Sequence, residues 1–296
     1  MPHKLIYHGL VSRHAPLAID LEIMARAGFA GLEISAAKMR AALEAGIAEA
    51  ELSGWLQGVD VPGIGFLLDI ERQGTRFDDL MAEAHELFHL ATIAGAKGVQ
   101  VLTGPVRVEA VQAVAAGGSS GLYEGVLRLQ RPEQMRITAE NLRQLADVAA
   151  GYGLLVYLEA LAWAPLNRLR DQVELIERAN RPNLRMVVDF WHCYASGDKP
   201  EDVAALPREL IYGVHVCDSL KHDCGIPDEV ALRNVPTGQG LLDLHAWVEA
   251  VKATGYQDWW SCELFCTRQQ QENSFAVARD LHELMGRLIG VSGEKM

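Results

Sequence analysis

The chain has 296 residues, 49% hydrophobic and 22% charged, a globular balance with enough apolar residues for one large core. A formal net charge of −12 with no basic run disfavours nucleic acid as a partner, and no apolar run reaches the roughly 18–20 residues that span a bilayer. The five cysteines, Cys193, Cys217, Cys224, Cys262 and Cys266, are odd in number and form no CxxC pair. Reduced thiols are expected rather than disulfides or a thiolate zinc site, and with no leader-like pattern at the start the expected location is cytoplasmic.

Eight short runs rich in Val, Ile, Leu and aromatics read as strands: 4–10, 31–35, 61–69, 98–104, 154–160, 184–190, 210–217 and 258–265. Helical spacing fills the gaps at 16–27, 76–94, 133–150, 168–180, 243–253 and 272–289, and less clearly at 38–57 and 199–206. Several runs are nearly continuous apolar stretches, as in a sheet buried on both faces. Eight strand–helix units predict an α/β fold, a (β/α)8 TIM barrel forming one domain over 1–296. A doubly wound sheet would call for a Gly-rich turn after the first strand, and VSRHAPLA is not one. Two connections are long, 105–132 and 218–242, and long loops in compact domains often cover sites.

In such a barrel the active site lies at the C-terminal ends of the strands. The fifth run ends at Glu159, the sixth at Asp189, the seventh near His215 and the eighth at Glu263. Three carboxylates converging beside one imidazole would repel one another without a cation between them. Three oxygens and one nitrogen suit a single divalent ion: Mn, Mg, Co or Zn.

These residues carry a family likeness. VYLEA (Glu159), VVDFWH (Asp189 and His192), GVHVCD (His215) and SCELF (Glu263), with IDLEIMARAGFAGLEIS near the start, resemble the xylose isomerase-like TIM barrels. GIPDEVALRNVPTGQGLLDL followed by SCELF looks most like the branch that contains 2-keto-myo-inositol isomerase. The resemblance implies that Glu159, Asp189, His215 and Glu263 bind one divalent metal, that His192 contacts substrate, and that Glu159 and Glu263 move protons. The implied activity is that of a sugar isomerase or epimerase acting on a ketose or keto-inositol through an enediolate, with a small sugar or cyclitol as partner. An inosose or 3-dehydroshikimate type of dehydratase is the alternative, since loss of a β-hydroxyl starts from the same proton abstraction. Oligomerisation is left open. Lys221 and Arg233, in the loop after the seventh strand, are candidate substrate contacts, and Trp163 a candidate wall of the pocket. That loop is expected to fold over the mouth, with loss of Arg233 affecting kinetics and leaving stability almost untouched. Pro165 departs from the related ketose 3-epimerases, which carry an acidic residue there.

Several features compete with this reading. His85-Glu86-Leu87-Phe88-His89 matches a zinc-protease pattern, but the helix that carries it belongs to the outer ring. Cys217 shares the face of His215 without a paired base. Asp218 is a candidate to orient the His215 ring. Glu33, at the end of the second strand, could reach the mouth. Apurinic endonucleases share the barrel but add histidines on strands three and four, where this chain has LLDI and QVLTG. A non-catalytic sugar-binding protein would not need two carboxylates aimed at one ion.

Overall fold

A computed structural model describes residues 3–291. The eight strands are β1 (Lys4–His8), β2 (Gly31–Glu33), β3 (Gly63–Leu67), β4 (Gly98–Leu102), β5 (Leu155–Glu159), β6 (Leu184–Asp189), β7 (Ile211–His215) and β8 (Trp259–Ser261). They form one parallel sheet in the order β2-β1-β8-β7-β6-β5-β4-β3. Backbone bonds from Leu32 N to Asp60 O (2.9 Å), Ile34 N to Gly63 O (3.0 Å) and Gly65 N to Ile34 O (2.8 Å) join β2 to β3 and close the barrel.

The six clearly predicted helices appear at Leu17–Ala27, Thr75–Ala94, Arg131–Gly151, Leu169–Ala179, Leu244–Ala253 and Ser274–Ile289. The apolar stripe Leu142, Leu145, Ala146 and Ala149 is buried against the sheet side, as its spacing requires. The 38–57 stretch is two helices, Ala36–Glu44 and Glu49–Leu56, parted at Gly46, whose φ of 93° ends the first. The strands are shorter than the apolar runs. Beyond Ser261, for instance, Leu264 and Cys266 are buried in a loop rather than in the sheet. Among the described residues no helix is long and apolar enough to cross a membrane.

Side chains alternate along each strand, so one set fills the barrel axis. Ile6, Tyr157, Val187 and Trp259 pack there as a separate apolar cluster. Glycine makes room for the rings: a Cβ at Gly63 would strike the Tyr157 phenol, and one at Gly213 the Trp259 indole. This plug is the floor on which the polar layer above it rests.

The zinc-protease pattern lies on the outer helix Thr75–Ala94. His85 Nδ1 is 3.0 Å from the Tyr152 hydroxyl and His89 Nε2 is 3.0 Å from Glu49, both at the exposed surface.

Candidate active site

Two residues beyond the apolar floor, the same inward-facing strand positions become polar. Above Ile6, Tyr157, Val187 and Trp259 come His8, Glu159, Asp189 and Ser261, joined by Glu33 of β2, Gln100 of β4 and His215 of β7. Glu263 lies two residues past the end of β8, not within the strand as expected, and still belongs to the group.

Glu159, Asp189, His215 and Glu263 each place one ligand-type atom within 4.8 Å of the others. His215 Nδ1 is 3.5 Å from Glu159 Oε1 and 3.9 Å from both Asp189 Oδ2 and Glu263 Oε2. Four ligands around a cation at 2.0–2.2 Å stand roughly 3.3–3.6 Å apart, so a small inward movement would suit one ion. Glu159 Oε1 and His215 Nδ1 are buried and have no hydrogen-bond partner. Such orphaned atoms are costly unless something binds them. The donor set and the two orphans fit a divalent cation.

Neighbouring side chains hold each of the four. Gln100 Nε2 donates to Glu159 Oε2 (3.0 Å). The His192 N–H donates to Asp189 Oδ1 (2.7 Å), so Asp189 is also the N-cap of the helix Phe190–Ser196. His215 Nε2 lies 3.2 Å and 3.3 Å from the two oxygens of Glu33. Glu33 also accepts from Ser261 Oγ (2.9 Å) and the Tyr157 hydroxyl (3.1 Å). The orienting partner of His215 is therefore Glu33. Asp218, expected in that role, instead accepts from the backbone N–H groups of Ser219, Gly238, Gly240 and Leu242 and pins the root of the loop.

The electrostatics follow from burial and crowding. Burial, then the charges of Glu263 and Asp189, push the Glu159 carboxyl up to about 8, although His215 pulls the other way. Burial would also raise Glu33 and Glu263. The His215 and His8 rings outweigh it at Glu33, and Arg233 with His215 at Glu263, holding each at about 2. Burial would lower His215, but Glu33, Glu159 and Glu263 overcome it and draw positive charge onto the ring.

The loop after β7 does fold over the mouth. It carries a short helix, Glu229–Leu232, and Asp228, Glu229 and Val230 line the cavity above the cluster. Arg233 corrects the expectation made for it. It is only 2% exposed, and its Nη2 is 2.9 Å from Glu263 Oε2 and 3.4 Å from Asp189 Oδ2. Nη1 is 2.9 Å from Glu229, and the guanidinium lies 4.0 Å from the centre of the Phe265 ring. It clamps the carboxylates rather than waiting at the rim for substrate. Lys221, the other candidate contact, stands outside the group: its side chain is 72% exposed and paired with Asp223, and it is not among the residues that line the cavity above the cluster.

The fold brings His192 and Trp163 to one cavity of about 340 Å³, which they line with Glu159, Glu229 and Glu263. His192 Nδ1 accepts the Ala162 N–H (3.1 Å), which leaves Nε2 as the donor, 3.6 Å from Glu229 and 3.9 Å from Glu159. Burial keeps this ring neutral, down to about 4. The Trp163 indole donates to Pro105 O (3.0 Å) and stands 5.8 Å from the His192 ring. The Cys217 thiol is 3.3 Å from Asp189, and burial together with that charge pushes its pKa well up, so it is no nucleophile. His8, Gln100 and Glu229 escaped the sequence reading. His8 and Gln100 are marked only by strand alternation, and Glu229 by nothing local.

A second buried carboxyl supports the rim. Glu71 Oε2 accepts the Gly104 N–H (2.9 Å) and Asp69 Oδ1 the Val106 N–H (2.6 Å), fixing the segment that brings Val106 and Arg107 to the mouth. Burial, aided by the Asp69 charge, pushes Glu71 from 4.5 up to about 7. Between those values the folded chain holds a proton that the unfolded chain has lost, so this contribution fades as pH rises through about 7. Glu71→Gln keeps the acceptor and removes the ionisation. Its melting temperature should equal that of the parent near pH 5 and exceed it at pH 8, a gain on the order of 1–3 kcal/mol. Identical melting curves at both pH values would contradict this account.

The model of the xylose isomerase-like TIM barrel family matches residues 21–285, and the chain belongs to that family. It is 33% identical over 130 residues, 44% of the chain, to a 3-dehydroshikimate dehydratase of Pseudomonas aeruginosa. It is 29% identical over 141 residues, 47% of the chain, to an inosose isomerase of Bacillus subtilis. The matched stretches make up 20% and 50% of those two proteins, so the chain spans at most half the length of either. A solved structure of the IolI protein with a bound zinc atom has the same fold, with a TM-score of 0.82 at 19% identity, covering 99% of this chain and 100% of that one.

Proposed function

We propose that the chain is a divalent-metal-dependent isomerase or epimerase of a ketose or keto-cyclitol. The observation that carries this reading is the pair of orphaned atoms, Glu159 Oε1 and His215 Nδ1, 3.5 Å apart at the end of the barrel axis. Carboxylates of Asp189 and Glu263 complete the group. The zinc bound by the structurally similar IolI protein and the inosose isomerase relative support it.

Bound by Glu159, Asp189, His215 and Glu263, a divalent ion would supply Lewis acidity, polarising a carbonyl and its neighbouring hydroxyl. The chain does the rest. Glu159 and Glu263 come from opposite parts of the rim, and each can present a carboxylate oxygen to a carbon beside the carbonyl. One removes the α-proton and the other, or the same one, returns a proton. Return to the neighbouring carbon isomerises; return to the opposite face epimerises. His192 Nε2–H is set to donate to a substrate oxygen. Phe265, Trp163 and the Glu229–Leu232 helix keep water from the reacting carbons.

A second reading, dehydration, draws on the 33% identity to the 3-dehydroshikimate dehydratase. It shares the abstraction and differs in losing a β-hydroxyl afterwards.

Protein purified without chelator should contain about one divalent ion per chain by elemental analysis, and Asp189→Ala should lose it. NMR in D₂O against ketoses, keto-inositols and 3-dehydroshikimate should show deuterium entering beside the carbonyl of one class. Undiminished metal in Asp189→Ala would dismiss the site. A product lacking water would decide for the dehydratase.

A further inference from the structure

The mouth runs on from the cluster into a second and larger lobe of about 970 Å³, on the β1 and β2 side. The two lobes share Phe66, Gln100, Glu263 and Phe265, so whatever fills one is continuous with whatever fills the other. Phe66 stands between them, 56% exposed although it belongs to a strand. His8 marks the junction. Its Nδ1 accepts the Leu10 N–H (3.1 Å), which leaves Nε2 as the donor of the neutral ring, 3.7 Å from Glu33 Oε2 and 4.0 Å from Glu263 Oε1, beyond hydrogen-bond distance of either.

Farther out, the walls are Leu10, Ala15, Ala41, Ala42, Ile47 and Trp55. Charged and polar side chains also border this lobe, but most have partners of their own. Lys38 Nζ donates to Gly9 O (2.9 Å), Ser12 O (2.8 Å) and Asp20 (2.7 Å). Arg40 Nε pairs with Glu86 (2.7 Å), and His14 Nε2 meets Gln271 Nε2 (2.9 Å). Arg13 is exposed at the outer edge. A free polyhydroxylated ring carries hydroxyls on most of its carbons. In the outer lobe they would lose water and find few partners, which is unfavourable. The same walls favour an apolar group, and the volume is that of a site for a larger ligand than one sugar ring.

We infer that the substrate is a keto-sugar or keto-cyclitol joined to an apolar group, with the ring above Glu159, Asp189, His215 and Glu263 and the apolar group between Leu10 and the Ala36–Glu44 helix. This rests on the function proposed above. His8 Nε2–H is then the donor facing the oxygen that links the two parts.

The test is deuterium incorporation from D₂O by the Mn²⁺-loaded full chain. The probes are the 3-keto derivatives of phenyl and of methyl β-D-glucoside, with an inosose alongside. The phenyl compound should exchange with kcat/KM higher by roughly tenfold or more, carried by KM. Ala41→Trp places an indole in the lobe from an exposed helix position, and should bring the phenyl-to-methyl ratio close to one. Equal values for the two glucosides in the parent protein, or a ratio that Ala41→Trp leaves in place, would overturn the inference and leave proton abstraction standing. Exchange into the inosose and neither glucoside would do the same. Exchange into none of the three would overturn both readings.

Discussion

Glu159→Gln should lower turnover by roughly 10²–10⁴, the usual contribution of a positioned general base, in a barrel that stays folded. The amide matches the carboxylate in size but not in hydrogen bonding. Gln100 Nε2 already donates to Glu159 Oε2 (3.0 Å), so the new amide must turn its oxygen that way to avoid two donors facing each other. Its NH₂ then falls where Oε1 stood, beside the orphaned His215 Nδ1, and has no lone pair for a cation. Metal affinity should therefore fall as well, without vanishing, because Asp189, His215 and Glu263 remain. Stability should not suffer: burial has pushed the Glu159 carboxyl up to about 8, so ionising it at neutral pH is already unfavourable in the fold. In chelator, the melting temperature of the variant should equal or exceed that of the parent. Exchange of substrate α-protons measured at saturating metal separates the two losses. Full exchange under that condition would take the proton transfer away from Glu159.

The barrel was legible because its signals are local. Alternating apolar runs and helical stripes recur along the chain, and each closes on the same parallel sheet. The metal-type residues were legible for a related reason. A carboxylate or imidazole at the end of an apolar strand is out of place unless it is used, and Glu159, Asp189 and His215 each end theirs. What supports them was harder to see. Glu33 could be placed near the mouth but not matched to His215, since the two are 182 residues apart and meet only because the barrel, with β1 and β8 between their strands, turns both side chains to its axis. Asp218 was the nearer candidate in sequence, and the loop claimed it for four backbone N–H groups. Lys221 and Arg233 looked alike as loop cations. Only the fold tells them apart, because the turn through Glu229–Leu232 brings one back under the lid and leaves the other beside Asp223 in solvent.

That difference sets the expected result for Arg233→Ala. A guanidinium at the rim would cost little when removed, under about 1 kcal/mol for an exposed pair. Here it faces Asp189, Glu229 and Glu263 from a buried position, and its loss leaves three carboxylates close together without their cation. Breaking a buried pair by removing one partner typically costs about 3–5 kcal/mol. For a chain of this length that corresponds to a fall of roughly 5–15 °C in melting temperature. A divalent ion would offset the same repulsion, so adding Mn²⁺ should raise the melting temperature of Arg233→Ala more than that of the parent. Arg233→Lys keeps the charge but cannot reach Glu229 and Glu263 with the two arms of one planar fork, and should fall between. Calorimetry with chelator and with Mn²⁺ on the three proteins reads all of this. Should Arg233→Ala melt with the parent in both conditions and lose only kcat/KM, the clamp would be wrong and Arg233 would be a substrate contact alone.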